Sequence, residues 1–359
     1  MPEHRAEESG PGSLGGRVLR PRTLLSFAIA AAVLGVFLWR LDVDLAEVWR
    51  TVRGADPGLY ALAFAVWYGG FVLRAFRWRR MLSRVGIDRA RGYPVPGTRG
   101  LVEIFLLSWF ANCVVPAKLG DAYRSYLLKQ EAGASFSTTF GTILAERLTD
   151  LTVLFLAMSG VGVLVFHGQV PAEAEQAFLL GLGLIGLAAV GLGAMWLTRH
   201  ALQRRLPVRV REQYGRLHEA VFRCLRRPGL FLGISSLIWA GEGLRVWLVA
   251  RSVGADLPLT TALFVALMGS LLTTVPLTPA GLGLVELGLV GVLTQVVDLP
   301  EAMALSIVAL DRVIGYWSVI AVGLVLYGRR LRRSAAGGQT GGLSAAYTEQ
   351  GGGGDRRLG

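Results

Sequence analysis

Apolar residues fall in long blocks along this chain, at about residues 24–39, 58–76, 101–116, 139–166, 177–198, 230–250, 260–297 and 302–327, with shorter charged segments between them. A helix needs roughly 20 predominantly apolar residues to cross the hydrocarbon core of a bilayer. Six of the blocks satisfy that, counting 24–39 together with its Trp39 flank, so the pattern predicts an all-α, polytopic integral membrane protein. The blocks at 101–116 and 260–297 do not fit as simple spans. One ends at a proline–glycine break, and the other is interrupted by Pro276, Pro279, Gly281 and Gly283, residues that weaken or end a helix.

These two blocks carry one pattern twice, once in each half of the chain: a Pro/Gly break, a polar turn, then an apolar helix holding an acid–arginine pair. The first copy runs from Asn112 through Pro116 and Gly120 to Asp121 and is followed by Glu146-Arg147. The second runs from Thr274 through Pro276, Pro279, Gly281 and Gly283 and is followed by Asp311-Arg312. Charges and helix breakers cost free energy in hydrocarbon, so their matched placement points to a lipid- or solute-handling site.

Arginines between the blocks set the orientation. Eight fall within 74–99 and nine within 199–227, whereas 167–176, 252–259 and 298–301 hold only acidic charges. An excess of basic residues marks cytoplasmic loops, so both basic segments, the N-terminus and the Arg329–Arg333 end are placed inside. With 139–166 leading outward to the acidic 167–176 segment, 117–137 lies inside and the 101–116 block enters and leaves by the same face. The same reasoning makes 260–297 a hairpin dipping in from outside. Two re-entrant hairpins from opposite faces, each followed by a span with an acid–arginine pair, form an inverted-topology repeat whose site can open to either side. Irregular backbone at membrane depth needs protein or water around it, which places the hairpin tips at a central chamber. Residues 260–276 and 281–297 are also apolar enough to be two ordinary spans joined by a tight turn.

Arg147 and Arg312 are the sharpest candidates for chemistry, because an arginine near the bilayer centre costs about 2.5–3.5 kcal/mol on insertion scales, a cost usually offset by pairing or by function. Arg147 and Asp150 are three apart on one helix, so a local ion pair is one reading and anion recognition the other. Asp121 and Arg124 follow the break at Pro116–Gly120, where a new helix can start, its free N–H groups capped by Asp121 and attractive to anions. Gly281, Gly283 and Glu286 supply either flexible backbone beside a buried acid or simple close packing. Arg74, Arg77, Trp78, Arg79 and Arg80 end the second span, as ligands for lipid phosphate or as an ordinary cytoplasmic flank. Glu242 and Arg245, three apart within 230–250, read as a buried pair.

Composition changes this picture little. Of 359 residues 53% are hydrophobic, and the net charge of +12, which in a soluble protein would suggest nucleic acid, gathers in the connecting segments as an orientation signal. No nucleic-acid partner is expected. Cys113 and Cys224 show no CxxC spacing and the four histidines are scattered, so neither disulfide, metal nor cofactor is expected. Arg17, Arg20 and Arg22 precede an apolar run as in a signal peptide, but Trp39-Arg40 in place of a small-residue cleavage site favours an uncleaved first span. After Arg333 the Gly, Ser, Ala and Gln composition predicts disorder. The expected organisation is a cytoplasmic segment 1–22, a membrane domain 23–333 and a disordered cytoplasmic tail 334–359, in the cell membrane.

Taken together, Arg74-x-x-Arg77-Trp78, the Asn112…Pro116-x-x-x-Gly120-Asp121-x-x-Arg124 string, Glu146-Arg147-x-x-Asp150, the Pro279-x-Gly281-x-Gly283-x-x-Glu286 string and Asp311-Arg312 resemble the transmembrane, flippase-like domain of lysylphosphatidylglycerol synthases. The likeness covers about residues 20–330. It implies movement of a lipid between leaflets. In the larger synthases a separate soluble domain performs aminoacyl transfer, and the short tail here leaves no room for it, so an enzyme is not expected. Some relatives made of this domain alone resemble partners of glycosyltransferases acting on polyprenyl-phosphate lipids.

These readings converge on a translocator of an anionic phospholipid or polyprenyl-phosphate lipid. Arg124, Arg147 and Arg312, with Arg77 near the cytoplasmic face, are assigned to phosphate. Asp121, Glu146, Asp150, Glu286 and Asp311 balance their charge, and Pro116, Gly120, Pro279, Gly281 and Gly283 are assigned to the hinges. The alternatives are a membrane subunit that presents a lipid to an aminoacyl- or glycosyltransferase partner, and a carrier for a small soluble anion. No ATP-binding motif occurs, so movement would be downhill or ion-coupled.

Overall fold

The computed structural model describes residues 44–115, 119–166, 172–197, 207–273 and 281–333. The 24–39 block, the hinge residues Pro116 and Pro279, and the proposed tail lie outside these. Every regular element among the described residues is helical, in chain order α1 (Leu45–Arg53), α2 (Pro57–Arg84), α3 (Thr98–Val114), α4 (Gly120–Ala132), α5 (Phe136–Phe166), α6 (Ala172–Leu197), α7 (Val208–Leu225), α8 (Gly229–Ser252), α9 (Leu259–Leu272), α10 (Leu284–Gln295) and α11 (Glu301–Arg333). Among the described residues four helices, α2, α5, α8 and α11, are long and apolar enough to cross a bilayer. Helix starts follow local chemistry. Asp44 caps α1, and Asp56 caps α2 by accepting from Gly58 and Leu59 N–H at 2.7 and 2.9 Å, with Pro57 supplying the preset first turn.

Lipid tails are as apolar as leucine, so helices in a membrane associate through close packing and polar ties rather than through hydrophobic burial. Glycines mark those contacts. A Cβ at Gly141 on α5 would lie 2.6 Å from the Leu217 carbonyl of α7, and one at Gly323 on α11 would lie 2.4 Å from Phe110 Cβ of α3. The paired helices α2 and α8 form the centre, with α3, α5, α9 and α11 packed around them. Trp78, Phe71, Phe105, Phe231 and Phe264 are fully buried there.

Two helical hairpins flank this centre. In the first, α3 and α4 close on Gly120: Ser108 Oγ donates to its carbonyl at 2.8 Å, and its N–H donates to Asn112 Oδ1 at 2.8 Å. A Cβ there would sit 2.0 Å from the Ser108 carbonyl oxygen, so only glycine permits the approach. In the second, Gly269 packs on Leu289 and Gly288 on Leu272, while Gly281 and Gly283 adopt φ of +71° and +86°, the left-handed region that glycine enters at least cost.

Hydrogen bonds sort the helix ends into two groups. The start of α2 meets the end of α8 through Asp56 N–H to the Ser252 carbonyl at 2.7 Å. At the other end of α2, Arg84 donates to the carbonyls of Cys224 in the last turn of α7 and of Arg227 just after it, at 3.1 and 2.7 Å. The last turns of α11 reach the end of α4 through Arg330 and Glu131, 2.7 Å apart.

Candidate functional site

Charged side chains from six helices meet inside this bundle in three layers. On the α2–α8 contact, Arg74 pairs with Glu242 at 2.5 Å; Glu242 also holds Arg245 at 3.2 Å, and Arg245 reaches Asp311 of α11 at 2.6 Å. Aromatic faces line these guanidinium groups: Arg245 lies 4.7 Å from the Trp67 ring, and Arg74 lies 5.2 Å from Trp109. Two glycines make room for the heads, because a Cβ at Gly70 would lie 2.8 Å from Arg74 Nη1 and one at Gly315 3.2 Å from Arg245 Nη1.

The second layer is the most enclosed. Arg77 donates to Asp150 and to Ser235, while Ser235 donates to Asp150 at 3.0 Å and Arg77 lies 3.2 Å from Glu146. Glu146 also takes both terminal nitrogens of Arg124, at 3.0 and 3.2 Å. The Arg124 guanidinium sits between the rings of Trp78 and Phe105, 4.6 and 4.3 Å from their centroids. The side chains of Arg77, Arg124 and Glu146 are no more than 2% exposed, so each charge depends on its partners in place of water.

The third layer faces open space. Arg147 Nε and Nη2 make a two-point contact with Asp121, at 2.9 and 2.7 Å, and Arg312 pairs with Glu286 at 2.7 Å. In both cases the carboxylate stands in the first turn of the helix that returns from a hairpin, α4 or α10. Glu286 also accepts the Gly283 N–H at 2.6 Å, closing the start of α10. Arg312 is followed at once by a π-helical turn, Val313–Trp317, a local widening often found at functional sites.

A chamber of about 460 Å³ connects the first and third layers. Asp121, Arg147, Asp150, Asp311 and Arg312 lie on its wall together with Arg74, Glu242 and Arg245. So do Trp67, Trp109, Trp239 and Tyr316. Among the described residues, four N–H donors in this wall, Trp67 Nε1, Trp239 Nε1, Arg245 Nε and Arg312 Nη2, are buried without an acceptor. Buried donors are normally satisfied, so an acceptor oxygen entering the chamber would find N–H partners there.

The candidates named from sequence separate accordingly. Asp121, Arg147, Asp150, Asp311 and Arg312 reach the chamber; Arg77, Arg124, Glu146 and Glu286 stand behind its wall. Arg147 turns to Asp121 across the α4–α5 contact, and Asp150 takes Arg77, so the local Arg147–Asp150 pair, one of the two readings of these residues, gives way to partners from other helices. Leu119 occupies the cap position of α4, with Asp121 inside the first turn receiving Arg147. Arg74 and Arg77 do not end a span. Helix α2 continues to Arg84, and both are buried mid-bundle because α5 and α8 bring carboxylates to them. The chamber tryptophans and Tyr316 went unassigned in the sequence because aromatic residues look like ordinary membrane helix.

Comparison with known proteins places these features in a family. Residues 23–323 match the family described as the lysylphosphatidylglycerol synthase TM region. A UPF0104 membrane protein of Methanocaldococcus jannaschii is 30% identical over 220 residues, 61% of this chain and 93% of the relative. Another, from Methanothermobacter thermautotrophicus, is 24% identical over 320 residues, 82% of this chain and 92% of its own length. Glycosyltransferase AglD of Haloferax volcanii is 26% identical over 340 residues, 82% of this chain but 53% of that protein. With spanning-capable helices and a match over most of its length, the chain belongs to the lysylphosphatidylglycerol synthase TM region family and is a multi-pass membrane protein.

Proposed function

We propose that this protein moves a lipid with a phosphate-bearing head group between the two leaflets, the head group passing through the chamber while the hydrocarbon chains remain in the bilayer. The observation that carries this reading is the pair of arginines, Arg147 and Arg312, on the chamber wall beside buried N–H donors that lack acceptors among the described residues. Charged groups at membrane depth are expensive and mark substrate pathways. Guanidinium groups bind phosphate through two parallel hydrogen bonds, the geometry Arg147 already makes with Asp121. A phosphate can therefore take the place of Asp121 on Arg147, and of Glu286 on Arg312, by exchange of partners.

Charge balance favours exchange over simple addition. Arg74, Arg77, Arg124, Arg147, Arg245 and Arg312 are matched by Asp121, Glu146, Asp150, Glu242, Glu286 and Asp311, each arginine within ion-pair distance of a carboxylate. The head group meets a neutral set and trades one acceptor for another, which leaves binding weak enough for release.

The proposal includes two re-entrant hairpins in inverted repeats. It is supported by correspondence between the halves: Arg147 stands to Asp121 as Arg312 does to Glu286, and Arg77 to Glu146 as Arg245 to Asp311. The two ends of α2 also bear on it, one tied to the end of α8 and the other to the segment after α7. On this reading α3–α4 opens to the cytoplasm, together with both termini, and α9–α10 opens to the exterior.

Reconstitution tests the reading. Proteoliposomes holding this chain alone should translocate fluorescent phosphatidylglycerol faster than protein-free vesicles, and Arg147→Ala should return the rate to that baseline. A second reading, presentation of a lipid to a glycosyltransferase, is favoured by the match to AglD. It prevails if lipid movement or turnover requires an added soluble transferase.

A further inference from the structure

Outside the chamber, α2, α8 and the start of α9 enclose a groove of about 540 Å³, within the roughly 300–1,000 Å³ typical of ligand pockets. Its rim is apolar and open, with Leu237 and Leu259 57% and 51% exposed. Gly70 and Gly241 stand at the midpoints of α2 and α8, so in a bilayer the groove faces hydrocarbon at mid-depth. Small residues at a helix crossing ordinarily let backbones approach. Here they leave room instead: a Cβ at Gly69 would meet nothing within 4 Å, and one at Gly241 only Val66 Cγ1 at 3.9 Å. The back of the groove is the wall of the chamber, since Trp67, Arg74, Ile238 and Glu242 line both. A polar cavity and an apolar slot thus share one layer of side chains, closed by the Arg74–Glu242 pair at 2.5 Å.

We infer that this groove seats a hydrocarbon chain of the same lipid whose head group occupies the chamber, with Arg74, Glu242 and Trp67 at the junction between head and chain. The inference rests on the translocation reading and adds to it the place where the chain lies. Its occupant follows from position and chemistry. At mid-span the groove is reached from the bilayer, it offers no polar side chain except the pair at its back, and it is continuous with a wall whose donors await an acceptor. The Arg74–Glu242 pair and the Trp67 N–H sit where the ester and phosphate oxygens of a lipid would lie when its chain fills the slot.

The test uses the full chain in vesicles containing phosphatidylglycerol with a diazirine midway along one acyl chain. After photolysis, peptides spanning Leu237–Leu244 should carry about fivefold more label than the α6 surface at Leu187 and Val190, which is 70% and 69% exposed. In the Gly69→Leu, Gly241→Leu double variant each new Cβ enters open space and the leucines extend into the groove, so it should stay monodisperse, lose the excess label and translocate phosphatidylglycerol about tenfold more slowly. Equal labelling of groove and α6 overturns the inference, as does a cross-link showing the groove covered by a second copy of the chain. Unchanged translocation in the filled variant, while Arg147→Ala abolishes it, overturns the groove and leaves the chamber reading intact. Preferential groove labelling without translocation by the wild type overturns the translocation reading and leaves the groove as a lipid-chain site.

Discussion

Two sets of ion pairs built from the same residue types sit in different surroundings in this protein, one enclosed and one open. Arg77 and Arg124 are 1% exposed and meet Glu146 behind the wall, Arg77 also taking Asp150 at the wall, with a serine and two aromatic rings completing their surroundings. Arg147 and Arg312 are 40% and 16% exposed and meet Asp121 and Glu286 on or beside the chamber. Removing one partner from an enclosed pair strands a charge in a medium that cannot solvate it, whereas an open pair can be taken over by water or by a ligand. On the proposed reading, exposure, rather than the presence of a charge at membrane depth, separates the arginines that hold the bundle from those available to a substrate.

A graded series of arginine substitutions sharpens this comparison. Arg77→Ala should cost about 3–5 kcal/mol and give aggregated or poorly expressed protein, measured by size exclusion after heating in detergent. Arg312→Ala, at intermediate exposure, should cost about 1–3 kcal/mol in the same assay and lose translocation as well. Arg147→Ala should cost no more than about 1 kcal/mol, because solvent already screens the pair, yet abolish translocation. Arg147→Lys keeps the charge but not the two-point geometry, and should fold normally while translocating on the order of tenfold more slowly. Smallest of all, Arg216→Ala removes an exposed contact with Glu212 at 3.7 Å on α7 and should change stability by less than about 0.5 kcal/mol with transport intact. If Arg77→Ala and Arg147→Ala behaved alike in both assays, the division between the two sets would fail.

The amino-acid sequence disclosed one half of this arrangement more readily than the other. Helix breakers at Gly120 and Gly283, and acid–arginine pairs on otherwise apolar helices, stand out because they violate the hydrocarbon pattern, and all of them lie at the hairpin and chamber contacts. Glu242 and Arg245 were legible as a pair because they are three apart on one helix; their further partners, Arg74 and Asp311, were not. Arg74 and Arg77 begin a basic run, so a hydropathy window ends the span there. The carboxylates that bury them come from α5 and α8, 73 and 168 positions away, and no local window holds both partners. The tryptophan donors were invisible for a different reason: an indole counts as apolar until neighbouring helices fix whether its N–H has an acceptor.

The measurement closest to the central claim compares wild type, Arg147→Ala and Arg216→Ala in proteoliposomes under one lipid composition, following phosphatidylglycerol translocation by the fraction of label accessible from outside. The account predicts rates above the protein-free baseline for wild type and Arg216→Ala, and a baseline rate for Arg147→Ala in protein that remains monodisperse. Equal rates for wild type and Arg147→Ala would contradict it.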